Sequence, residues 1–241
     1  MSTLLSFGHG YCARALTPHL RARGWTVIGT TRSEEKAEAL RAEGAEPLIF
    51  GASVEDALAR SSHVLVSTAP DADGDPVLGA YTGPLEAALG RMAWIGYLST
   101  TGVYGDHAGA WVDEGTATIP STRRGAWRVE AEGDWQALAA RTGAALHVFR
   151  LAGIYGPGRG PFAKVRDGTA RRIVKPGQVF SRIHVEDIAR VLLASIDRPA
   201  PGQTTPSTPS AAISARFASL RTVPMTRHPC GIRSRDSARA E

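Results

Sequence analysis

The chain has 241 residues, of which 43% are hydrophobic and 21% charged, and its formal net charge is +5. This composition is typical of a globular domain and excludes a collagen-like repeat, a disulfide scaffold and a chain too polar to fold. Cys12 and Cys230 are the two cysteines, and no apolar run approaches the roughly 18 residues of a membrane span. Because the N-terminus lacks the basic segment of a secretory signal, we expect a cytoplasmic protein with no membrane partner.

Short apolar runs alternate with longer amphipathic stretches over the first two thirds of the chain. The runs are rich in β-branched and aromatic residues, as in strands buried on both faces of a parallel sheet. We predict strands at residues 4–7, 25–30, 47–50, 64–67, 94–98 and 146–150, and helices at 12–23, 34–43, 54–60, 84–91 and 124–141. This alternation predicts a Rossmann-type α/β fold, a doubly wound parallel sheet with right-handed crossovers.

Residues typical of helix ends support these boundaries. Ser33 precedes a helical pattern that opens on acidic residues, and its hydroxyl can cap the first amides. Gly24, Gly44 and Gly143 each follow a helical pattern and suit the left-handed conformation that ends a helix.

The pattern is less regular after Arg150. Residues 153–161 are rich in Gly and Pro and predict a loop, whereas 162–172 predicts a short helix. Residues 185–196 predict an amphipathic helix because their apolar side chains recur at helical spacing. We assign residues 1–198 to one Rossmann domain, in which 151–198 form a small, partial C-terminal lobe.

Residues 199–241 are rich in Pro, Ser, Thr and Arg and show no periodicity of a packed core. We predict a linker-like or poorly ordered tail. Its six Arg against two acidic residues account for most of the net charge, so the rest of the chain is nearly neutral. A solvated tail explains this charge, and we expect no nucleic-acid partner.

A glycine turn follows the first predicted strand. Gly8-His9-Gly10-Tyr11-Cys12-Ala13 has the spacing G-x-G-x-x-A of a dinucleotide-binding turn that opens a helix. Gly8 permits the tight turn, Gly10 lets amides approach a diphosphate, and Ala13 permits close helix–sheet packing. Tyr11 supplies an amide of the first helical turn. The sequence therefore predicts a dinucleotide cofactor.

The end of the second predicted strand indicates which dinucleotide binds. A carboxylate there would favour NAD, but the sequence reads Thr31-Arg32-Ser33 and the first acid is Glu34. Arg32 can bind a 2′-phosphate, and the hydroxyls of Thr31 and Ser33 can assist. The alternative is an ordinary surface arginine. We predict NADP rather than NAD.

Four segments in chain order resemble the extended or atypical short-chain dehydrogenases/reductases, the NAD-dependent epimerase/dehydratase group. They are 8–13, 98–105 (Leu-Ser-Thr-Thr-Gly-Val-Tyr-Gly), 150–158 and 182–189, with an Asp113-Glu114 pair between the second and third. The likeness spans about residues 4–197. It implies a Rossmann fold, a nicotinamide cofactor, a small carbonyl, alcohol or sugar-derived substrate, and a homodimer formed through the helices that flank Arg124.

The reaction centre of that family is a Ser or Thr, a Tyr and a Lys four residues after the Tyr. The resemblance places Thr100 in the first role, but Arg124 stands at the Tyr position and Arg128 at the Lys position. Arginine stays protonated and cannot pass a proton as a phenol does. Arg124 can still bind an anion or polarise a carbonyl, and Arg128 can keep a cation beside the ribose.

Other residues are weak candidates for the missing proton carrier, each with a plain structural alternative. Tyr104 follows the fifth strand, and we predict it as a catalytic residue. A purely structural role, in which its ring packs in the core, is the alternative. Tyr155 is expected in a loop over the nicotinamide. The remaining candidates each have a structural explanation for their position. His107 and Glu114 are explained as solvated loop residues, Arg150 as a structural or anion-binding residue, and His184 and Asp187 as residues that cap a helix and compensate its dipole.

Two functions therefore remain open. One is an NAD(P)-dependent oxidoreductase or epimerase-type enzyme, and the other is a non-catalytic NADP-binding sensor that acts through a partner. The tail also departs from the resemblance, because residues after 203 resemble a truncated or frame-altered ending rather than the rest of a substrate lobe. No metal site is expected.

Overall fold

The computed structural model describes residues 1–171, 179 and 181–199, and a parallel six-stranded sheet lies at its centre. The strands are β1 (Thr3–Phe7), β2 (Thr26–Thr31), β3 (Glu46–Ile49), β4 (His63–Val66), β5 (Trp94–Thr100) and β6 (Leu146–Leu151). Their order is β3-β2-β1-β4-β5-β6, and every neighbouring pair is parallel. All six predicted strands and the Rossmann-type fold are confirmed.

Helices cover both faces of this sheet. They are α1 (Tyr11–Ala22), α2 (Glu34–Ala42), α3 (Glu55–Arg60), α4 (Pro76–Ala88) and α5 (Arg123–Thr142), followed by α6 (Pro161–Arg166) and α7 (Val185–Asp197). Alternate residues of β1 serve opposite faces: Leu4 packs with α1 and α7, whereas Leu5 and Phe7 pack with α3, α4 and α5. This two-sided burial explains why the strands are continuous apolar runs.

The predicted helix ends are largely confirmed. The Ser33 hydroxyl accepts a hydrogen bond from the Lys36 amide, and Gly24, Gly44 and Gly143 have φ of 75°, 82° and 69°. The prediction for 84–91 was wrong at its start, because α4 begins at Pro76. The Asp75 side chain caps its first amides, a signal present in the sequence as an acid followed by proline.

The C-terminal segment contains a second, two-stranded parallel sheet. The prediction of a loop over 153–161 was wrong at its beginning, because β7 (Gly153–Tyr155) pairs with β8 (Arg182–His184). The helix expected at 162–172 spans Pro161–Arg166, and the helix expected at 185–196 is α7. Helix α7 lies beside α1, and two ion pairs, His19–Glu186 and Arg23–Asp197, join the two helices.

The predicted tail, 199–241, lies outside the described residues apart from position 199, as do residues 172–178 and 180. Within the described part of the chain, no helix combines the length and the apolar character needed to cross a bilayer.

Candidate functional site

The glycine turn lies between β1 and α1, at the carboxyl edge of the sheet and beside the point where the strand order reverses. Hydroxyl groups hold it from both sides. The Gly8 amide donates to Thr30 Oγ1 at 2.8 Å, and the Ser67 hydroxyl donates to the Gly8 carbonyl. Gly8 has φ of 72°, and a Cβ there would lie 2.8 Å from Thr68 Cγ2. The fold therefore requires glycine at position 8.

Gly10, unlike Gly8, is not required by the fold. It is exposed and precedes α1, and a Cβ there would meet only the Gly8 carbonyl oxygen, at 3.6 Å. The protein itself could accept a side chain, so what Gly10 provides is open space before the helix. No side chain caps α1, and the first amides of an α-helix have no partner within the helix. Ala13 is buried where α1 packs on the sheet.

His9 lies beneath the turn, and the motif did not reveal its role. Its ring occupies the space that a side chain on Gly29 would fill, because a Cβ there would lie 2.7 Å from His9 Cγ. Its Nε2 is 3.1 Å from Thr17 Oγ1, and Nδ1 has no partner among the described residues. Burial lowers the pKa of His9 to about 4, so the imidazole is neutral at physiological pH.

The residues predicted to choose the cofactor lie where β2 meets α2. Thr31 ends β2 and Ser33 caps α2, so both have fixed backbones. Arg32 between them is exposed, and within the described ranges it makes no hydrogen bond or ion pair. Its charge is therefore available to a ligand.

The second group of predicted residues meets at the end of β5. Thr100 Oγ1 accepts a hydrogen bond from the Gly102 amide at 3.1 Å and so begins a short 3-10 turn. Gly125 in the first turn of α5 packs on that turn, since a Cβ there would lie 2.8 Å from the Gly102 carbonyl oxygen. This contact places the first turn of α5, which contains Arg124, against the short turn that follows β5. Arg124 is exposed and, over the part of the chain described, has no partner.

Arg128, one turn further along α5, is bound to the protein. Its Nη1 donates to the carbonyl oxygens of Leu98 and Thr68, at 2.9 and 3.1 Å, and to the Tyr97 hydroxyl at 3.1 Å. Burial raises the pKa of Tyr97, so this phenol stays protonated. Arg128 therefore joins the ends of β4 and β5 to α5.

Tyr104 belongs to a buried charged cluster rather than to an open surface. Its hydroxyl accepts from Arg150 at 3.0 Å, and it is 2% exposed. Arg150 also donates to Glu132 at 2.8 Å, and the Ser99 hydroxyl donates to the same carboxylate. Burial opposes the charge of Arg150, but the hydrogen bonds to Glu132 and Tyr104 outweigh it and raise the pKa of Arg150. Because Tyr104 is almost fully buried, its hydroxyl is not open to a substrate.

Of the other candidates, Tyr155 and His184 contact each other, whereas the described contacts of His107 and Asp187 are with residues outside this group. His107 contacts the Tyr104 carbonyl oxygen through Nε2 at 3.1 Å, and Glu114 lies half-buried in the same loop. Tyr155 is 39% exposed and packs edge-on against His184. His184 caps α7 and Asp187 pairs with Arg190, so the structural interpretation accounts for both.

Sequence reasoning missed one charged residue near the glycine turn. Arg159 lies over the ring of Tyr11, with its guanidinium carbon 5.3 Å from the ring centroid. Nothing in the spacing indicates this contact, because 148 residues separate the two positions. Among the described residues, no group of His, Cys, Asp and Glu could hold a metal ion.

Comparison with known proteins places the chain in a family. No protein-family model matches the sequence. Over 216 residues the chain is 31% identical to Protein YeeZ of Escherichia coli strain K12, covering 84% of this chain and 76% of that protein. The chain belongs to the YeeZ family.

This YeeZ relative also resembles solved structures. It is 57% identical, with a TM-score of 0.76, to a functionally unknown conserved protein from Silicibacter pomeroyi, covering 84% of this chain and 70% of that one. It is 28% identical, with a TM-score of 0.58, to a Methylobacillus flagellatus protein proposed to be an NAD-dependent epimerase/dehydratase, with coverages of 81% and 70%. The second of these supports the expected superfamily.

A more distant likeness bears on the fold alone. The UDP-glucuronic acid 4-epimerase of Bacillus cereus, solved with UDP-glucuronic acid and NAD, is 17% identical and has a TM-score of 0.65, covering 83% of this chain and 74% of that one. The fold of this YeeZ-family chain is therefore shared with epimerase structures.

Proposed function

We propose that this protein binds a nicotinamide dinucleotide at the glycine turn and is an NAD(P)-dependent oxidoreductase or epimerase-type protein of the short-chain dehydrogenase/reductase group. Its substrate is a small carbonyl, alcohol or sugar-derived molecule. The observation that carries the proposal is the turn itself, where a glycine required by the fold is followed by open space at a helix N-terminus. The epimerase structures with the same fold support this assignment.

The residues of the turn fit the diphosphate of such a cofactor. Amides of the first turn of α1 point out of the helix toward open space, and the helix dipole favours an anion there. Gly10 leaves that space free of side chains. Thr30 and Ser67 hold the turn in place before any ligand arrives, so binding does not require the turn to become ordered.

NADP is the preferred dinucleotide in this proposal. Arg32 lies at the end of β2, where the adenosine ribose of a Rossmann-bound dinucleotide lies, and it has no acidic partner within the described ranges. A guanidinium can form paired hydrogen bonds with a 2′-phosphate. Thr31 and Ser33 flank it with hydroxyl groups on fixed backbone.

At the reaction centre, Thr100 and Arg124 act on the substrate oxygen. The Thr100 hydroxyl accepts the Gly102 amide and keeps its own proton for donation. The exposed guanidinium of Arg124 stabilises negative charge that develops on that oxygen, and solvent supplies the proton that arginine cannot. A nicotinamide dinucleotide held at the glycine turn would supply hydride-transfer chemistry at this centre.

A calorimetric titration tests the cofactor and its selectivity together. We expect the wild-type protein to bind NADPH about tenfold more tightly than NADH, and Arg32→Gln to remove this difference. Arg41→Gln, which removes a charge paired with Glu38 further along α2, is the matched control and should change neither affinity. Equal or tighter NADH binding by the wild type would overturn the NADP preference, and no binding of either would overturn the cofactor.

A non-catalytic NADP sensor is the second proposal, and the environment of Arg128 favours it. The residue at the family's lysine position binds two backbone carbonyl groups and a phenol, so it serves the scaffold. Binding of NADPH without turnover on a panel of ketones, aldehydes and nucleotide sugars would support the sensor. Turnover that Thr100→Ala abolishes would support the enzyme.

The double variant Arg124→Tyr with Arg128→Lys provides a further test of the same question. It restores the residue types of the family at both positions. A gain of turnover would show that the remainder of the reaction centre is intact, as the enzyme proposal requires. Absence of turnover in both proteins would favour the sensor.

A further inference from the structure

The loop after β7 is a tight turn held against the start of α1. The amide of Gly156 donates to the Arg159 carbonyl at 2.8 Å, and the reverse bond is 3.0 Å. Pro157 and Gly158 fill the turn, and Gly158 has φ of 69°. A Cβ at Gly156 would lie 2.5 Å from Tyr11 Oη, so the loop has little room to shift.

Two contacts join this loop to the first residue of α1. The Tyr11 hydroxyl donates to the Pro157 carbonyl oxygen at 3.0 Å. The Arg159 guanidinium lies over the ring of the same Tyr11. The charge of Arg159 is therefore held beside the amides that the glycine turn presents.

The charge of Arg159 is not neutralised. Arg159 is exposed and makes no ion pair within the part of the chain described, and the first turn of α1 has no acidic residue. Its field reaches this turn: burial raises the pKa of the Cys12 thiol to about 11, and the charge of Arg159 opposes that rise. A cation and the positive end of a helix dipole side by side repel each other unless an anion lies between them.

We propose that Arg159 binds the diphosphate of the dinucleotide from the side opposite the glycine turn. The diphosphate is then contacted both by the turn after β1 and by the loop after β7. The inference rests on the proposed cofactor and adds a binding residue that the glycine motif does not contain. The ring of Tyr11 orients the guanidinium of Arg159, and the hydrogen bond to the Pro157 carbonyl oxygen holds that ring in place. Arg159 contributes to the affinity for NADPH and NADH equally, because both contain the same diphosphate.

The test compares Arg159→Gln and Arg159→Lys with the wild type by calorimetric titration of NADPH and of NADH. We expect Arg159→Gln to weaken both about tenfold, which is the size of a lost charge-assisted hydrogen bond, and Arg159→Lys to retain part of the affinity. Added salt should reduce the difference in dinucleotide affinity between the wild type and Arg159→Gln, because it screens the charge of Arg159. Arg198→Gln is the matched control. It removes an exposed charge just after α7, beside the other end of α1, and should leave both affinities unchanged.

Each outcome has a separate meaning. If Arg159→Gln binds both dinucleotides as well as the wild type does, Arg159 only packs on Tyr11 and the inference is wrong. If only NADPH binding weakens, Arg159 contacts the 2′-phosphate and the assignment to the diphosphate is wrong. If the wild type binds neither dinucleotide, the proposed cofactor itself is wrong and the inference falls with it. Unchanged thermal unfolding of the variants shows that the comparison concerns binding alone.

Discussion

Two regions at the same edge of the sheet are built by different means. The glycine turn is shaped by backbone conformation and by the hydroxyls of Thr30 and Ser67. The proposed reaction centre around β5 and α5 is shaped by buried charges, in which Arg150, Glu132 and Tyr104 form one cluster and Arg128 joins two strands. The first region leaves open space for a ligand, and the second has most of its polar groups already bonded within the protein.

This difference indicates where each region tolerates change. A site shaped by backbone conformation depends on glycine at a fixed position, so adding a methyl group at Gly8 disrupts it. A site shaped by buried ion pairs depends on both members of each pair, so removing one charged side chain leaves its partner buried and unpaired. Substitutions in the two regions should therefore lower stability to different extents, and those in the turn should also change the open space before α1.

The largest expected effect is in the charged cluster. Arg150→Met should lower the free energy of unfolding by about 3–5 kcal/mol, because the buried carboxylate of Glu132 loses its cation. Arg190→Met is the control, since it breaks an exposed pair with Asp187 and should cost less than about 1 kcal/mol. Urea denaturation measures both. Losses of equal size would show that the cluster does not hold the reaction centre as described.

The next effect is at the turn. Gly8→Ala should lower the free energy of unfolding by about 2–3 kcal/mol, because it adds a contact with Thr68 to the strain of a positive φ, and it should abolish dinucleotide binding. Gly24→Ala is matched, with φ of 75° and nothing within 4 Å, so it should cost only about 1 kcal/mol and leave binding intact. The same denaturation and titration experiments check both, and equal behaviour of the two variants would refute the role of Thr68.

The smallest effect depends on pH and lies beneath the turn. Burial lowers the pKa of His9 to about 4, whereas the ordinary value is 6.5. Between pH 6.5 and 4 the unfolded chain binds a proton that the folded chain excludes, so stability falls as the pH is lowered through this window. Over it the wild type should lose about 1–3 kcal/mol more than His9→Asn. Denaturation at pH 7 and pH 4.5 checks this, and parallel losses would place the acid sensitivity elsewhere, for example at His147.

The fold could be predicted from the sequence because its signals are local. Six apolar runs at regular spacing identify a buried parallel sheet, and Gly8, Gly10 and Ala13 identify the turn by spacing alone. Helix α4 shows where hydrophobic periodicity fails to predict a helix start. The start is marked by a capping residue, Asp75, followed by Pro76, whereas the apolar pattern indicates a helix only further along the chain.

The residues of the proposed reaction centre could be named from the sequence, but their partners could not. The resemblance predicts site roles for Thr100, Arg124 and Arg128, yet nothing local shows that the Arg128 guanidinium is bound to the backbone carbonyls of Leu98 and Thr68. The partners of Tyr104 and the contact of Arg159 with Tyr11 connect residues 46 and 148 positions apart. Such pairs follow from the three-dimensional packing and leave no periodic trace in the sequence.

The pairing of α1 with α7 has a consequence for biosynthesis. Leu16 and Leu20 of the first helix share a core with Ile188 and Leu192 of the last described one. The ribosome must therefore translate nearly two hundred codons before the outer flank of α1 has its partner. Until α7 emerges from the exit tunnel, the part of this core that α7 covers is exposed to chaperones and proteases.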